Sequence, residues 1–269
     1  MGFDVDFLNK IRADELIQYL KYFPAGSRIL EIGGGTGVQA KLLSEMGFDI
    51  ISIDLPNSTY SNDLAYEVIP YDGHTLPLED NSVDIVFSSN VLEHIPHIED
   101  FHQEMKRVLR PGGLGIHAMP TGCWTFWTII THYLNALQNV NGRAKINYMK
   151  EHGIEPGKLK LYNLTYEEAR RTFKHMRKYM PEQTFPNRHG EFGNVFTELW
   201  TFSRFAWKKH FKQNDYKVIS VKPMKLFYTG YMHFGSRWSI KFRHFISNFL
   251  GSACVIYIVK NKKENKEEP

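Results

Sequence analysis

Residues 28–37 read Arg-Ile-Leu-Glu-Ile-Gly-Gly-Gly-Thr-Gly, a short apolar run that ends in a glycine loop. A few apolar residues closed by glycines read as a buried strand. Val38 to Met46 follows with helical spacing and is closed by Gly47. Strand, glycine loop and helix in that order make a ligand cradle. Glycines let the backbone turn tightly and approach a bound group without a Cβ in the way. The helix start behind them offers unpaired N–H groups. The spacing narrows the ligand. A dinucleotide fingerprint, Gly-x-Gly-x-x-Gly, would need glycine at position 38, which is Val38. No Lys-Ser/Thr pair follows, which excludes a phosphate-binding P-loop.

Outward from this unit, strand and helix patterns alternate. Phe7, Ile11, Leu16, Ile17 and Leu20 predict a helix ended by Pro24-Ala25-Gly26. Phe48 to Ile53 reads as a second strand ending in Asp54, and Val83 to Ser88 as another. Ile98 to Leu109 reads as a helix stopped by Pro111-Gly112-Gly113, and Leu114 to Ala118 as the next strand. Such alternation predicts a parallel sheet covered by helices. The pattern then changes from Thr121 to about Gly193. Trp124, Trp127, Ile130, Leu134 and Leu137 mark an aromatic helix. Thr165-Tyr-Glu-Glu168 has capping-box form and opens a helix carrying Tyr166, Ala169, Phe173, Met176 and Met180 on one stripe. Val195 to Phe211 predicts one long amphipathic helix, Tyr216 to Val221 a strand, and Ala253 to Val259 a last strand.

The expected architecture is α/β: a Rossmann-like fold with a mainly parallel seven-stranded sheet, helices on both faces, and a mostly helical cap insertion. Residues 1–120 would be the cofactor-binding part of the core, 121–193 the cap, 194–260 the rest of the core, and 261–269 a disordered charged tail.

Charge is unevenly spread over the 269 residues, although the net is only +4. Residues 1–120 hold 8 Lys+Arg against 18 Asp+Glu, a net of −10, while residues 201–269 hold 14 against 4, a net of +10. A basic half points to an anionic or membrane-attached partner, or to a solvated surface. The aromatic share of 14% allows either an aromatic core or an aromatic acceptor pocket. Two cysteines, Cys123 and Cys254, make no disulfide framework and no metal spacing, so a reducing cytoplasm and no metal site are expected. The opening residues MGFDVDF lack a basic stretch, so no signal peptide is expected. The longest apolar stretch, Phe249 to Val259, is too short to span a bilayer.

Two acids extend the cradle. Asp54 ends the second strand, where a carboxylate can accept both hydroxyls of a ribose. Asp72 lies in YDGHTLPLED, where an acid and backbone amides can frame a base. With these on the page, the chain resembles the class I S-adenosylmethionine-dependent methyltransferases, in their small-molecule branch. EIGGGTG (31–37), IDLP (53–56), YDGHTLPLED (71–80), VDIVFSSNVLEHI (83–95) and VLRPGG (108–113) carry the resemblance, over about residues 28–120. The resemblance implies S-adenosylmethionine as cofactor and S-adenosylhomocysteine as product. It places Glu31, Gly33, Gly34, Gly35 and Gly37 along the methionine part, Asp54 and Leu55 at the ribose, and Asp72, Gly73 and His74 along the adenine. Ser89 and Asn90 would lie at the mouth near the sulfonium. The base-amine branch carries a Pro-Pro motif after its fourth strand. Here that place reads Ser-Ser-Asn-Val, which counts against DNA and RNA base-amine methylation.

In-line transfer from a sulfonium needs mainly positioning, and a hydroxyl acceptor also benefits from a base. His94 in LEHI is the best-placed base, because strand C-termini border the ligand crevice. A structural tie for that loop is the competing reading. Glu93 and His189 are further candidates; Glu191 lies in the same loop as His189 as an acceptor contact, and Arg188 beside them could meet an anionic acceptor. Trp124 and Trp127 would line the acceptor pocket, and His117 reads as a core histidine. The expected activity is O-methylation of a small-molecule acceptor: a sugar, nucleotide-sugar or lipid-linked precursor in polysaccharide biosynthesis. The expected setting is cytoplasmic or peripheral to a membrane. RNA methylation, isoprenoid or fatty-acid methylation, and cofactor binding without turnover remain alternatives.

Overall fold

The computed structural model describes residues 5–56, 64–134, 186–230 and 234–262. Leu137 and the Thr165–Glu168 capping box with its stripe (Tyr166, Ala169, Phe173, Met176, Met180) lie outside them, as does the tail from 263.

Helix α1, Val5–Leu20, precedes strand β1, Arg28–Ile32, and helix α2, Val38–Glu45. Strands β2 (Asp49–Asp54), β3 (Ile69–Pro70) and β4 (Val83–Ser89) follow, then helix α3 (Ile98–Val108) and strand β5 (Leu109–Pro120). A helix over residues 122–134, α4, runs to the edge of the described chain. Beyond the gap come helices α5 (Val195–Thr201) and α6 (Arg204–Gln213), strand β6 (Tyr216–Pro223), helix α7 (Ile240–Leu250) and strand β7 (Cys254–Asn261). Among the described residues no helix is long and apolar enough to cross a membrane.

The seven strands form one sheet in the order β3-β2-β1-β4-β5-β7-β6. Strands β1 to β5 pair in parallel, whereas β7 runs antiparallel between β5 and β6. Chain order reverses at β1, whose neighbours are β2 on one side and β4 on the other. At such a switch point the connections leave in opposite directions and open a crevice at the strand C-termini. Side chains alternate across the sheet with period two and build two cores. Ile29, Ile85, Phe87, Ile256 and Ile258 face α1 and α2 (Ile11, Leu16, Tyr19, Leu43). Leu30, Val86, Val255, Tyr257 and Val259 face α3 and α6 (Phe101, Met105, Trp207, Phe211).

Local departures from the sequence reading have physical causes. Ile17 fits the helical spacing but is 60% exposed, since α1 buries a narrower stripe. The long helix expected from Val195 to Phe211 is two, because the Ser203 hydroxyl accepts from Ala206 N (3.2 Å) and restarts the helix. Helix α3 ends at Val108, ahead of Pro111-Gly112-Gly113, because Leu109 is already extended and starts β5; the Pro-Gly-Gly lies within that strand as an irregularity. There Val83 pairs with Leu109 and Ile85 already pairs with Leu114. Arg110 pins that excursion to Asp84 at 2.8 Å. The edge strand β3 has no counterpart in the sequence pattern, since a two-residue strand containing a proline has no periodicity to read.

Phe87 lies fully buried and meets the Tyr19 and Phe23 rings edge-to-face at 4.7 and 5.6 Å. Truncation leaves a cavity between β4 and α1. Phe87→Ala is expected to cost about 3–5 kcal/mol in a urea unfolding titration, and a loss below one of these would show that α1 collapses onto the gap.

Candidate active site

The glycine loop hangs from β2. The N–H groups of Gly33 and Gly34 donate to Ile53 O at 2.8 and 3.0 Å. The Asp54 carboxylate accepts from Gly35 N at 2.9 Å through one oxygen and from Leu55 N at 2.7 Å through the other. Gly33 and Gly35 have φ of 73° and 55°, left-handed backbone that a glycine adopts without strain. A Cβ on Gly34 would fall 2.0 Å from Ser52 Oγ, so that position has no room for a side chain.

A cleft of about 580 Å³ opens above the loop, within the ordinary range for small-ligand sites. Gly33, Gly34, Gly35, Asp54, Leu55 and Tyr71 line it on the β1–β2 side, and Ser89, Asn90 and Val91 at the end of β4. Arg12, Asn9 and Gln39 close it from α1 and α2.

Beneath Ser89 and Asn90 lies a buried polar network that sequence reasoning missed. Arg12 pairs with the fully buried Glu15, and Tyr228 donates to the other Glu15 oxygen at 2.9 Å. The Cys254 thiol lies 2.9 Å from Tyr228 Oη and donates to Asn90 Oδ1 at 3.0 Å. Tyr19 donates to Ser89 Oγ at 3.4 Å. Burial pushes the Cys254 thiol far above its ordinary value, with the Glu15 charge adding to it. Cys254 is therefore a neutral donor and not a nucleophile. Asn90 has a φ of 57°, a left-handed position that Asn tolerates better than most residues. These partners come from α1, β4, β7 and the segment after β6, so no local pattern in the sequence announces them.

The opposite mouth carries Trp124, His94 and His189. Glu93 sits behind them in a 3-10 turn, Leu92–His94, with its side chain 1% exposed. Its Oε1 lies 3.6 Å from His189 Nε2 and 3.9 Å from His94 Nε2. The two imidazoles meet edge-to-face at 4.6 Å, and the Trp124 ring lies 4.5 Å from that of His189. Burial lowers the His94 pKa, opposed by the Glu93 charge. His189 is held by the buried Glu198 of α5, whose Oε1 accepts from His189 N (2.6 Å) and Gly190 N (2.8 Å).

Other residues singled out in the sequence stand elsewhere. Glu31 lies under the loop, accepting from Ser52 Oγ at 2.6 Å. Gly37 packs on the Tyr66 backbone, which a Cβ would approach to 2.9 Å. Asp72, Gly73 and His74 do not line the cleft. The exposed Asp72 carboxylate caps its own turn by accepting from His74 N and Thr75 N, both at 2.8 Å. His74 stacks on His97 at 4.1 Å. The neighbouring Tyr71 is the residue of this segment that reaches the cleft. Trp127 does not reach it either, because its indole donates to Leu250 O at 2.9 Å. Arg188 lines a smaller adjoining pocket of about 140 Å³ with Trp124 and Glu198. Glu191 contributes its backbone, donating to Glu93 O at 3.0 Å. His117 is a buried histidine bonded to Ser88 Oγ at 2.8 Å, as a core position requires.

Residues 30–116 match the methyltransferase-domain family. This segment is a class I S-adenosylmethionine-dependent methyltransferase domain. An uncharacterized methyltransferase from Mycobacterium sp. (strain KMS) is 33% identical over 140 residues, covering 49% of this chain and 54% of that protein. Another, from Mycobacterium bovis (strain BCG / Pasteur 1173P2), is 34% identical over 139 residues, covering 48% and 53%. The chain spans about half the length of the curated relatives it matches. A methyltransferase structure from Archaeoglobus fulgidus shares the fold, with a TM-score of 0.51 at 14% identity over 94% of each chain.

S-adenosylmethionine is the cofactor of this methyltransferase domain, and the cleft fits it. Asp54 spends two of its roughly four lone-pair positions on backbone N–H groups, leaving two for a diol. Asp54→Ala is expected to weaken S-adenosylhomocysteine binding by about 1.5–3 kcal/mol in calorimetry. Unchanged affinity would remove this carboxylate from the site.

Burial pushes Glu31 up to about 7 from 4.5, with the Ser52 hydroxyl opposing and the Asp54 charge adding. The folded methyltransferase domain keeps this proton where the unfolded chain has lost it. Its stabilising contribution is therefore complete below pH 4.5 and lost as pH rises through about 7. Glu31→Gln should flatten the fall in urea midpoint between about pH 5 and 8, and an identical slope in both proteins would mean that Glu31 titrates normally.

Proposed function

We propose that the protein transfers the methyl group of S-adenosylmethionine to a hydroxyl of a small-molecule acceptor. The observation that carries this reading is the Glu93–His94–His189 cluster, set with Trp124 at the mouth of the same cleft as the glycine loop. Bound S-adenosylmethionine supplies an electrophilic methyl group. The chain's part is to bind, orient and exclude water. Asp54 holds the ribose hydroxyls, and Leu55 and Tyr71 flank the base. The Arg12 guanidinium, at the cleft edge, takes the cofactor's carboxylate. The acceptor hydroxyl is oriented and gives up its proton at the Glu93–His94–His189 cluster, with the Trp124 ring as an apolar wall.

The acceptor class we propose is a sugar, a nucleotide-sugar or a lipid-linked glycan precursor, as in polysaccharide biosynthesis. Support comes from the net +10 of residues 201–269 and from the exposed Arg188 beside the cleft. A membrane-presented acceptor has support of its own. Phe242, Phe245 and Phe249 stand exposed along α7. Trp127 ties the end of that helix to α4, where Phe126 is exposed as well. An apolar face beside basic residues favours attachment at a lipid surface.

Release of S-adenosylhomocysteine by the purified protein, given polar metabolites, extracted lipids or total RNA, tests the reading. Release driven by metabolites or lipids supports it and names the acceptor class. Release with RNA alone, or with no fraction at all, overturns it.

A further inference from the structure

The Glu93 carboxylate presents a problem of charge. It is buried, and neither oxygen has a hydrogen-bond partner among the described residues. Burying an unpaired carboxylate costs several kcal/mol unless something compensates it. The two imidazoles nearest to it stand 3.6 and 3.9 Å away, too far for hydrogen bonds. One ligand atom from each of Glu93, His94 and His189 lies within 4.8 Å of the others. Metal–ligand bonds of about 2.0–2.2 Å at tetrahedral angles require ligand atoms about 3.4 Å apart. The three side chains reach that spacing by closing in about an ångström, within the reach of side-chain rotations. Both imidazoles are about one-third exposed at the cleft and have room to turn.

The backbone is arranged to hold the third ligand. Glu191 N donates to Glu93 O at 3.0 Å, which staples the loop around His189 to the Glu93 turn. Gly190 passes so close that a Cβ there would come within 3.1 Å of Glu93 O. Glu198 fixes the same loop from the other side. Residues from two distant parts of the chain thus converge on one buried, unpartnered carboxylate.

We propose that Glu93, His94 and His189 form a site for a divalent first-row transition metal. The sequence carries no metal expectation, since its two cysteines lack ligand spacing. Two imidazoles and one carboxylate select zinc, iron, cobalt or manganese over magnesium and calcium, which prefer all-oxygen shells. Three protein ligands leave the remaining positions open towards the cleft, where an acceptor hydroxyl can bind; with the metal in place the three side chains are ligands rather than the base, and the hydroxyl, made more acidic by the metal, loses its proton to solvent water. That use of the metal rests on the methyltransferase reading, whereas the site itself does not.

The test is a cobalt(II) titration of the full chain after chelator treatment, read by visible d–d absorption. S-adenosylhomocysteine binding is measured in parallel. One saturable equivalent with tetrahedral or five-coordinate bands is expected. His189→Ala, on a side chain about one-third exposed, should weaken cobalt affinity at least ~10-fold, the floor set by losing even an outer-shell partner. Glu93→Gln should do the same, and the His189 variant guards against a misfolded Glu93 variant. No cobalt binding by the wild type, or unchanged affinity in His189→Ala, overturns the site. If S-adenosylhomocysteine still binds in that case, the methyltransferase reading stands. Cobalt binding lost in the variants supports the site even where S-adenosylhomocysteine fails to bind.

Discussion

The grip of the Asp54 carboxylate on the backbone N–H of Gly35, with Ile53 O receiving Gly33 and Gly34, is the constraint on which the site depends. A glycine loop is conformationally free and loses much entropy when fixed. Here the end of a central parallel strand supplies the restraint. That strand is itself locked in register, with Arg28 opposite Asp49 and Ile32 opposite Ile53. The loop therefore inherits the rigidity of the sheet. The carboxylate that shapes it also lines the cleft, so one side chain both restrains the loop and faces the space above it.

The second organising feature is polar and buried. Glu15, Arg12, Tyr228, Cys254, Asn90 and Ser89 form one connected set under the cleft. In a medium of low polarity a fully satisfied network is stiff, because each broken bond strands a desolvated partner. Glu15 is satisfied by two partners, whereas Glu93, shortly after Asn90 in the chain, has none among the described residues. The contrast between two buried glutamates, one saturated and one left open, separates a structural carboxylate from one with a ligand still to hold.

The two ends of the cleft are built by different means. The cofactor side uses consecutive backbone at a strand end. The mouth uses a turn after β4, the start of α4, and a loop bonded through its amides to Glu198 of α5. The glycine-loop side and the mouth of the cleft thus draw on separate stretches of chain. This matches the extent of the family resemblance, which covers residues 30–116 and stops before α4.

The sequence by itself determined the sheet units other than the edge strand β3, the glycine loop and the acid at the end of β2. These depend on local periodicity and on glycine geometry within a few residues. It also marked Glu93, His94 and His189 as separate candidates, from their positions next to strand ends and loops. Their convergence on one buried carboxylate was decided only by the tertiary structure. So was the network under Asn90, whose members lie between positions 12 and 254. The partners of Asp72 and Trp127 are not legible in their motifs for the same reason. A motif fixes where a residue lies along the chain, but hydrogen bonds to the residue's own turn or to a distant helix end decide which way its side chain is spent. Periodicity reports the face an element buries; partners far away in sequence leave no periodic trace, so the chemistry they create appears only once the chain is packed.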